Sequence, residues 1–174
     1  MKKSALVCFL SVSFVLIGTL HPKEPIYESD FGESRTGWSG RAGYEGIIYQ
    51  PQTDVDPKNP GKPVLRITAG GTLGAGYFFT CPAEVEVGRE YELTFWVLCT
   101  GDTGLAARIC VAGEDDYGEE EKSWFTISEK PNRWYKVERK FFPTVPRIGL
   151  EIGAKEEEYA PCDILIKDVV IKPR

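Results

Sequence analysis

The stretch Tyr91–Cys99 (Tyr-Glu-Leu-Thr-Phe-Trp-Val-Leu-Cys) limits the fold more than any other part of the chain. Its apolar residues recur with period two. Tyr91, Leu93, Phe95 and Val97 therefore fall on one face of a strand, and Glu92, Thr94 and Trp96 on the other. The first set is a core face. The second is polar apart from Trp96, whose large ring gains from cover by a ligand or by a loop. No segment carries a 3.6-residue apolar period. Residues 64–68, 77–81, 106–112, 123–127, 134–142, 147–152 and 164–171 read as further strands, with 46–50 as a short one. Glycine- and proline-rich turns separate them. Thr100-Gly101-Asp102-Thr103-Gly104 reads as the turn of a hairpin joining Tyr91–Cys99 to its return strand, and residues 51–63, with four prolines, read as a loop. Eight or nine short strands predict an all-β sandwich or barrel, and the half-buried patterns favour the sandwich.

The first residues are of another kind. Lys2 and Lys3 precede an apolar stretch over residues 5–20, which reads as a secretory signal peptide. No small-residue cleavage site closes it, so retention as a short membrane anchor is the alternative. The expected organisation is a leader over 1–20, a linker over 21–29 and one β domain over 30–174. The expected location is secreted, periplasmic or on the cell surface, with a membrane partner only if the leader is retained.

Charge and histidine content exclude several classes of function. The net charge of −5 leaves no basic stripe for nucleic acid. His21 is the only histidine, so residues 30–174 have no Ser-His-Asp triad, Cys-His pair or His-ligated zinc. Carboxylate-pair hydrolysis needs only two acids at a set separation. Asp115, Asp116 and Glu151 are the residues available for it, and they read better as loop or sheet-face polar groups; no enzyme activity is expected. Beyond the leader stand Cys81, Cys99, Cys110 and Cys162. Strand parity argues against Cys99 with Cys110. Cys81 and Cys162 each neighbour a proline at a strand end and are the pair to test first, with four buried thiols as the alternative.

Sugar recognition asks for flat aromatic surfaces against C–H faces and planar polar groups for hydroxyls. Trp96 is the leading stacking candidate, with Thr94, Arg108 and Glu151 as its sheet-mates by parity. Arg108 and Glu151 would bond hydroxyls or pair with each other. Tyr77 and Tyr117 come next, followed by Trp124 and Tyr159.

The order of signals resembles one family. Phe31 is followed by Trp38, Leu65-Arg66-Ile67, a glycine-rich turn, and Tyr91-x-Leu93-x-Phe95-Trp96-Val97. Trp134 then opens a strand carrying Val137 and Phe141, and the chain closes on Ile164-Leu165-Ile166-Lys167-Asp168-Val169-Val170-Ile171. This is similar to the CenC-type carbohydrate-binding modules, the family 4 and 9 group, across nearly all of residues 30–174. The resemblance implies a galactose-binding-like jelly-roll β-sandwich that binds an oligo- or polysaccharide without catalysis. It also implies core positions for Trp38 and Trp134, and a structural calcium ion near Asp168, with Asp30 and Glu33 as oxygen donors. Two positions depart from the pattern: Gly32 directly follows Phe31, and Lys167 stands where the closing motif usually has an acid. A protein-interaction or surface-structural module on the same fold is the rival reading.

Overall fold

A computed structural model of the chain describes residues 23–40, 51–69, 76–101, 104–111, 125–128, 130–154 and 162–174. The leader, the strand expected at 46–50, and Tyr117, Trp124 and Tyr159 lie outside the described residues. Among the described residues all regular structure is β. The strands are β1 (Tyr27–Glu28), β2 (Trp38–Gly40), β3 (Gln52–Val55), β4 (Pro63–Ala69), β5 (Gly76–Thr80), β6 (Tyr91–Cys99), β7 (Leu105–Val111), β8 (Phe125–Ser128), β9 (Tyr135–Phe141), β10 (Ile148–Ala154) and β11 (Cys162–Pro173). They form two antiparallel sheets. The first runs β3-β4-β11-β6-β9, with β1 added to β11, and the second runs β2-β5-β10-β7-β8. The described residues form an all-β jelly-roll sandwich; the alternation predicts the sandwich and the resemblance implies the jelly roll.

Strand β6 follows its sequence pattern. Tyr91, Leu93, Phe95, Val97 and Cys99 are buried between the sheets. From the second sheet Trp38, Phe79, Leu105, Ala107, Ile148, Leu150 and Ile152 meet them in one cluster. Strand β11 explains why its sequence reads as almost continuously apolar. Its inward residues are even-numbered up to Ile166, then odd-numbered from Val169. A register shift against β6 between Lys167 and Val170 makes the change, and Asp168 takes a φ of 51° within it. The extra residue of a bulge flips the parity of everything after it, and a short polar side chain tolerates the left-handed backbone.

Three expectations fail at this level. Strands β6 and β7 lie in different sheets, so the turn after Cys99 carries the chain across the sandwich instead of folding a hairpin. Period and turn composition specify strands and reversals, but not the sheet that each strand joins. The proline-rich stretch read as a loop contains β3, which pairs with β4 from Gln52↔Arg66 to Val55↔Pro63. Its prolines flank the strand and leave its ladder donors intact. The segment read as linker contains β1, which pairs with Ile171 and Val170 and so belongs to the domain.

One end of the core is closed by aromatics. The Trp38 ring lies 4.8 Å from that of Phe79 and meets Phe31 edge-on at 5.8 Å. Trp38 Nε1 donates to Tyr27 Oη at 3.0 Å. Trp38 thus holds the core position expected of it.

Candidate functional site

The split into two sheets divides the residues that parity grouped together. Trp96 and Thr94 lie on β6, on the face of the first sheet that points away from the core. Arg108 and Glu151 lie on β7 and β10 of the second sheet. The expected four-residue cluster does not exist, because residues on one parity of their own strands share a face only when the strands share a sheet. Tyr77 is on β5, where its Cα pairs with the core residue Ile152.

In the first sheet, Trp96 is half-buried, with Lys167 and Lys136 opposite it on β11 and β9. Beside it a second apolar cluster of Val64, Leu98, Leu165 and the half-buried Trp134 occupies the same outer face. Trp134 therefore packs outside the main core, against the position implied for it. Asp56 sits over this cluster, wholly buried at 0 % exposure. Its carboxylate accepts from Trp134 Nε1 at 3.1 Å, from Lys58 N at 2.8 Å, and from Lys167 Nζ. Burial pushes the Asp56 carboxyl up, but those hydrogen bonds and the Lys167 charge outweigh it and hold the group below the usual carboxylate range. Lys167, the departure from the closing motif, is thus half of an ion pair that anchors the 56–62 turn. The arrangement is structural: every polar atom of Asp56 is already committed.

The second sheet differs. Leu150 and Ile152 of β10 face the core, so Gly149, Glu151 and Gly153 occupy its outer face. Glu151 is nevertheless only 3 % exposed, and both glycines are buried. Across the strands the Cα register places Phe78 and Arg108 beside Glu151. One step along the outer face, Gly76, Gly153 and Ala106 line up across β5, β10 and β7. Such small residues allow whatever covers this face to approach the backbone closely. A carboxylate on a sheet face away from the core, yet shielded from water, must be compensated by charge or hydrogen bonds. With the small residues beside it, Glu151 marks a buried, partnered polar position on this outer face. The sequence pointed to Glu151 and Arg108 through parity; Gly76 was read as part of a turn, and Gly149 and Gly153 carried no reading.

Of the implied calcium set, the backbone brings Asp30 close to Asp168, because Ser29 N donates to Val169 O and Val169 N to Ser29 Oγ beside them. Asp30 Oδ1 accepts from Gly32 N at 3.2 Å in a local turn, and Asp168 is exposed at the bulge. Among the described residues no three His, Cys, Asp or Glu side chains are grouped as a metal site requires. Calcium takes six to eight oxygens, backbone carbonyls among them, and Asp30 and Asp168 would supply two carboxylates.

Cys81, Cys99 and Cys162 are buried thiols. The neighbour of Cys162 is Cys99, with Sγ atoms 3.7 Å apart, in place of the expected Cys81. Cys81 follows β5 in the second sheet, whereas Cys162 opens β11 in the first.

No protein-family model matches the chain, and no curated protein matches it in sequence. Solved structures do resemble it. The CBM22-1–GH10 modules of a Clostridium thermocellum endo-1,4-β-D-xylanase, complexed with xylohexaose, superpose with a TM-score of 0.63 at 18 % identity, over 87 % of this chain and 29 % of that one. The CBM22-1 xylan-binding domain from Paenibacillus barcinonensis gives 0.56 at 14 %, over 87 % and 96 %. The N-terminal cellulose-binding domain of Cellulomonas fimi β-1,4-glucanase C gives 0.56 at 14 %, over 87 % and 97 %. The fold is therefore that of β-sandwich carbohydrate-binding modules. Family 22 modules stand among its structural neighbours, and the family 4 and 9 assignment is not specifically shown.

Proposed function

We propose that this chain is a non-catalytic carbohydrate-binding protein, exported by its leader, and that a glycan chain lies along the outer face of the second sheet, over Glu151. The reading is carried by the fold shared with solved carbohydrate-binding modules, and Glu151 and Arg108, at facing register positions of the second sheet, mark where the glycan would lie. Glu151 accepts hydrogen bonds from sugar hydroxyls, and Arg108, at the facing register position, supplies planar donors. Neighbouring structures that bind xylan or are described as cellulose-binding support a neutral polysaccharide as the ligand, and xylan and cellulose oligomers are the first to test. Membership of family 22 or of the family 4 and 9 group is equally compatible with this reading.

Calorimetric titration with xylohexaose and cellohexaose tests it. The expected result is binding by the parent chain and a tenfold or greater loss in Glu151→Gln, corresponding to about 1.4 kcal/mol or more. Failure to bind any sugar on a broad glycan array overturns the proposal and leaves a protein-interaction module on the same fold.

A further inference from the structure

We propose that Cys99 and Cys162 form a disulfide when the chain folds in the presence of a thiol oxidant, and that this bond, between adjacent strands of the first sheet, closes a loop that holds strands of both sheets. The argument is independent of the sugar site. Cys99 is the last residue of β6 and Cys162 the first of β11. The Cα partner of Cys99 is Ile164, two residues beyond Cys162 and of the same parity, so the two cysteines are diagonal neighbours on one face. Both side chains are in the core, and Cys99 Sγ–H points toward Cys162 Sγ at 3.7 Å. A disulfide needs Cα atoms about 4.4–6.8 Å apart and a sulfur–sulfur bond of about 2.0 Å. Diagonal pairs stand about 7–8 Å apart, just beyond that span, so closing the bond requires the two strand ends to move together. Here the pair stands at the end of both strands, where the ladder can close by a small shift.

The position determines what the bond does. The cysteines are 63 residues apart in sequence. Between them lie β7, β8 and β10 of the second sheet and β9 of the first. Closing that loop restricts the unfolded chain in both sheets at once. Cys81, which follows β5, lies outside the loop.

The chemistry is dithiol–disulfide exchange with a small-molecule or protein disulfide. One cysteine thiolate attacks a sulfur of the oxidant, forming a mixed disulfide and releasing one oxidant thiol. The second thiolate attacks the protein sulfur of that mixed disulfide and expels the other. Two protein thiols lose two electrons and two protons, and one oxidant disulfide becomes two thiols. The step belongs to the folding chain. In the folded protein the hydrogen bond from Cys99, followed by burial, pushes the Cys162 thiol up, away from the reactive thiolate. Folded reduced protein is accordingly slow to oxidise, and folded oxidised protein is slow to be reduced.

The full chain, denatured and reduced, is refolded with mixed reduced and oxidised glutathione, alkylated, and mapped by mass spectrometry under non-reducing conditions. The expected product has lost two hydrogens, carries a Cys99–Cys162 peptide link, and melts about 8–15 °C above the reduced protein. The Cys99→Ala/Cys162→Ala double variant is expected to show no oxidant-dependent shift, while Cys81→Ala keeps it. If refolding is inefficient, the same map is made on native protein exposed to oxidised glutathione in sub-denaturing urea, where opening exposes the pair. A link from Cys162 to Cys81 or Cys110, full alkylation of Cys99 and Cys162 after both treatments, or a Cys99–Cys162 link that leaves the melt unchanged overturns the proposal.

Discussion

Lys167 Nζ lies 4.2 Å from the centroid of the Trp134 ring while its ammonium group pairs with the wholly buried carboxylate of Asp56. The same cation therefore serves a π face and an anion, and the indole N–H reaches the same carboxylate. Three residues from three parts of the chain close the outer face of the first sheet.

Breaking such a buried pair on one side strands a charge. Asp56→Ala is expected to cost about 3–5 kcal/mol in urea unfolding. Replacing both partners, as in Asp56→Leu/Lys167→Met, is expected to cost clearly less than that single change, since no buried charge is left alone. Equal losses in the two proteins would contradict this account of the cluster.

Acid sensitivity follows from the same carboxylate and from Glu92. Glu92 is held below its usual range chiefly by the hydrogen bond from Lys172, with burial opposing and Arg174 adding to the effect. Both groups have folded pKa values below their unfolded values of about 3.9 and 4.3. Their contribution to stability is therefore present above those values and lost as pH falls through the folded ones. The urea midpoint should stay level from pH 7 to about 5 and fall below about pH 4. The acid limb should be shallower in Asp56→Asn.

Gly37 and Gly61 both have positive φ, 86° and 99°, but different surroundings. A Cβ at Gly37 would strike the Thr80 carbonyl oxygen and approach a Phe79 ring carbon to 2.9 Å, whereas a Cβ at Gly61 meets nothing within 4 Å. Gly37→Ala is expected to cost about 2–4 kcal/mol, combining backbone strain with overlap in the core. Gly61→Ala carries the strain alone, about 1–2 kcal/mol. Comparing their thermal melts checks the difference.

Trp96 separates the two outer faces experimentally. With its ring half-buried on the first sheet, Trp96→Ala is expected to lower stability by about 1–3 kcal/mol. Its affinity for xylohexaose should stay within about twofold of the parent. A tenfold loss of binding with an unchanged melt would move the sugar site to the first sheet.

Among the described residues no group of three acidic side chains surrounds Asp168, and a chelator is expected to leave the melting temperature unchanged. Asp168→Gly should shift it little, because glycine accepts the same left-handed backbone. A melt that falls on chelation would show a bound cation.

The strands were legible in the sequence wherever one face was buried and the other polar. Strand β6 has the bounds its alternation implies, and the core face of β10 was visible as Ile148, Leu150 and Ile152. Sheet membership was not legible, because Arg108 and Trp96 carry parity relative to their own strands alone. Nothing local reveals that β6 pairs with β9 and β11 while β7 pairs with β8 and β10. Asp56 was hidden for a related reason: it sits among prolines in an apparent loop, and its partners come from positions 58, 134 and 167. The Cys99 and Cys162 thiols meet because a long-range strand pairing brings them together, which spacing cannot reveal.

Strand β11 pairs with β1, β4 and β6, although it is the last strand in sequence. Until it arrives, the first sheet exists only as two separate pairs, β3 with β4 and β6 with β9, each with a bare hydrogen-bonding edge. Such edges readily recruit other chains. A nascent chain therefore cannot assemble this sheet residue by residue as it is made. It must hold its earlier strands apart until the last has emerged, and then close long loops in one cooperative step. Slow folding, and exposure of the bare edges until that step, follow from the strand order.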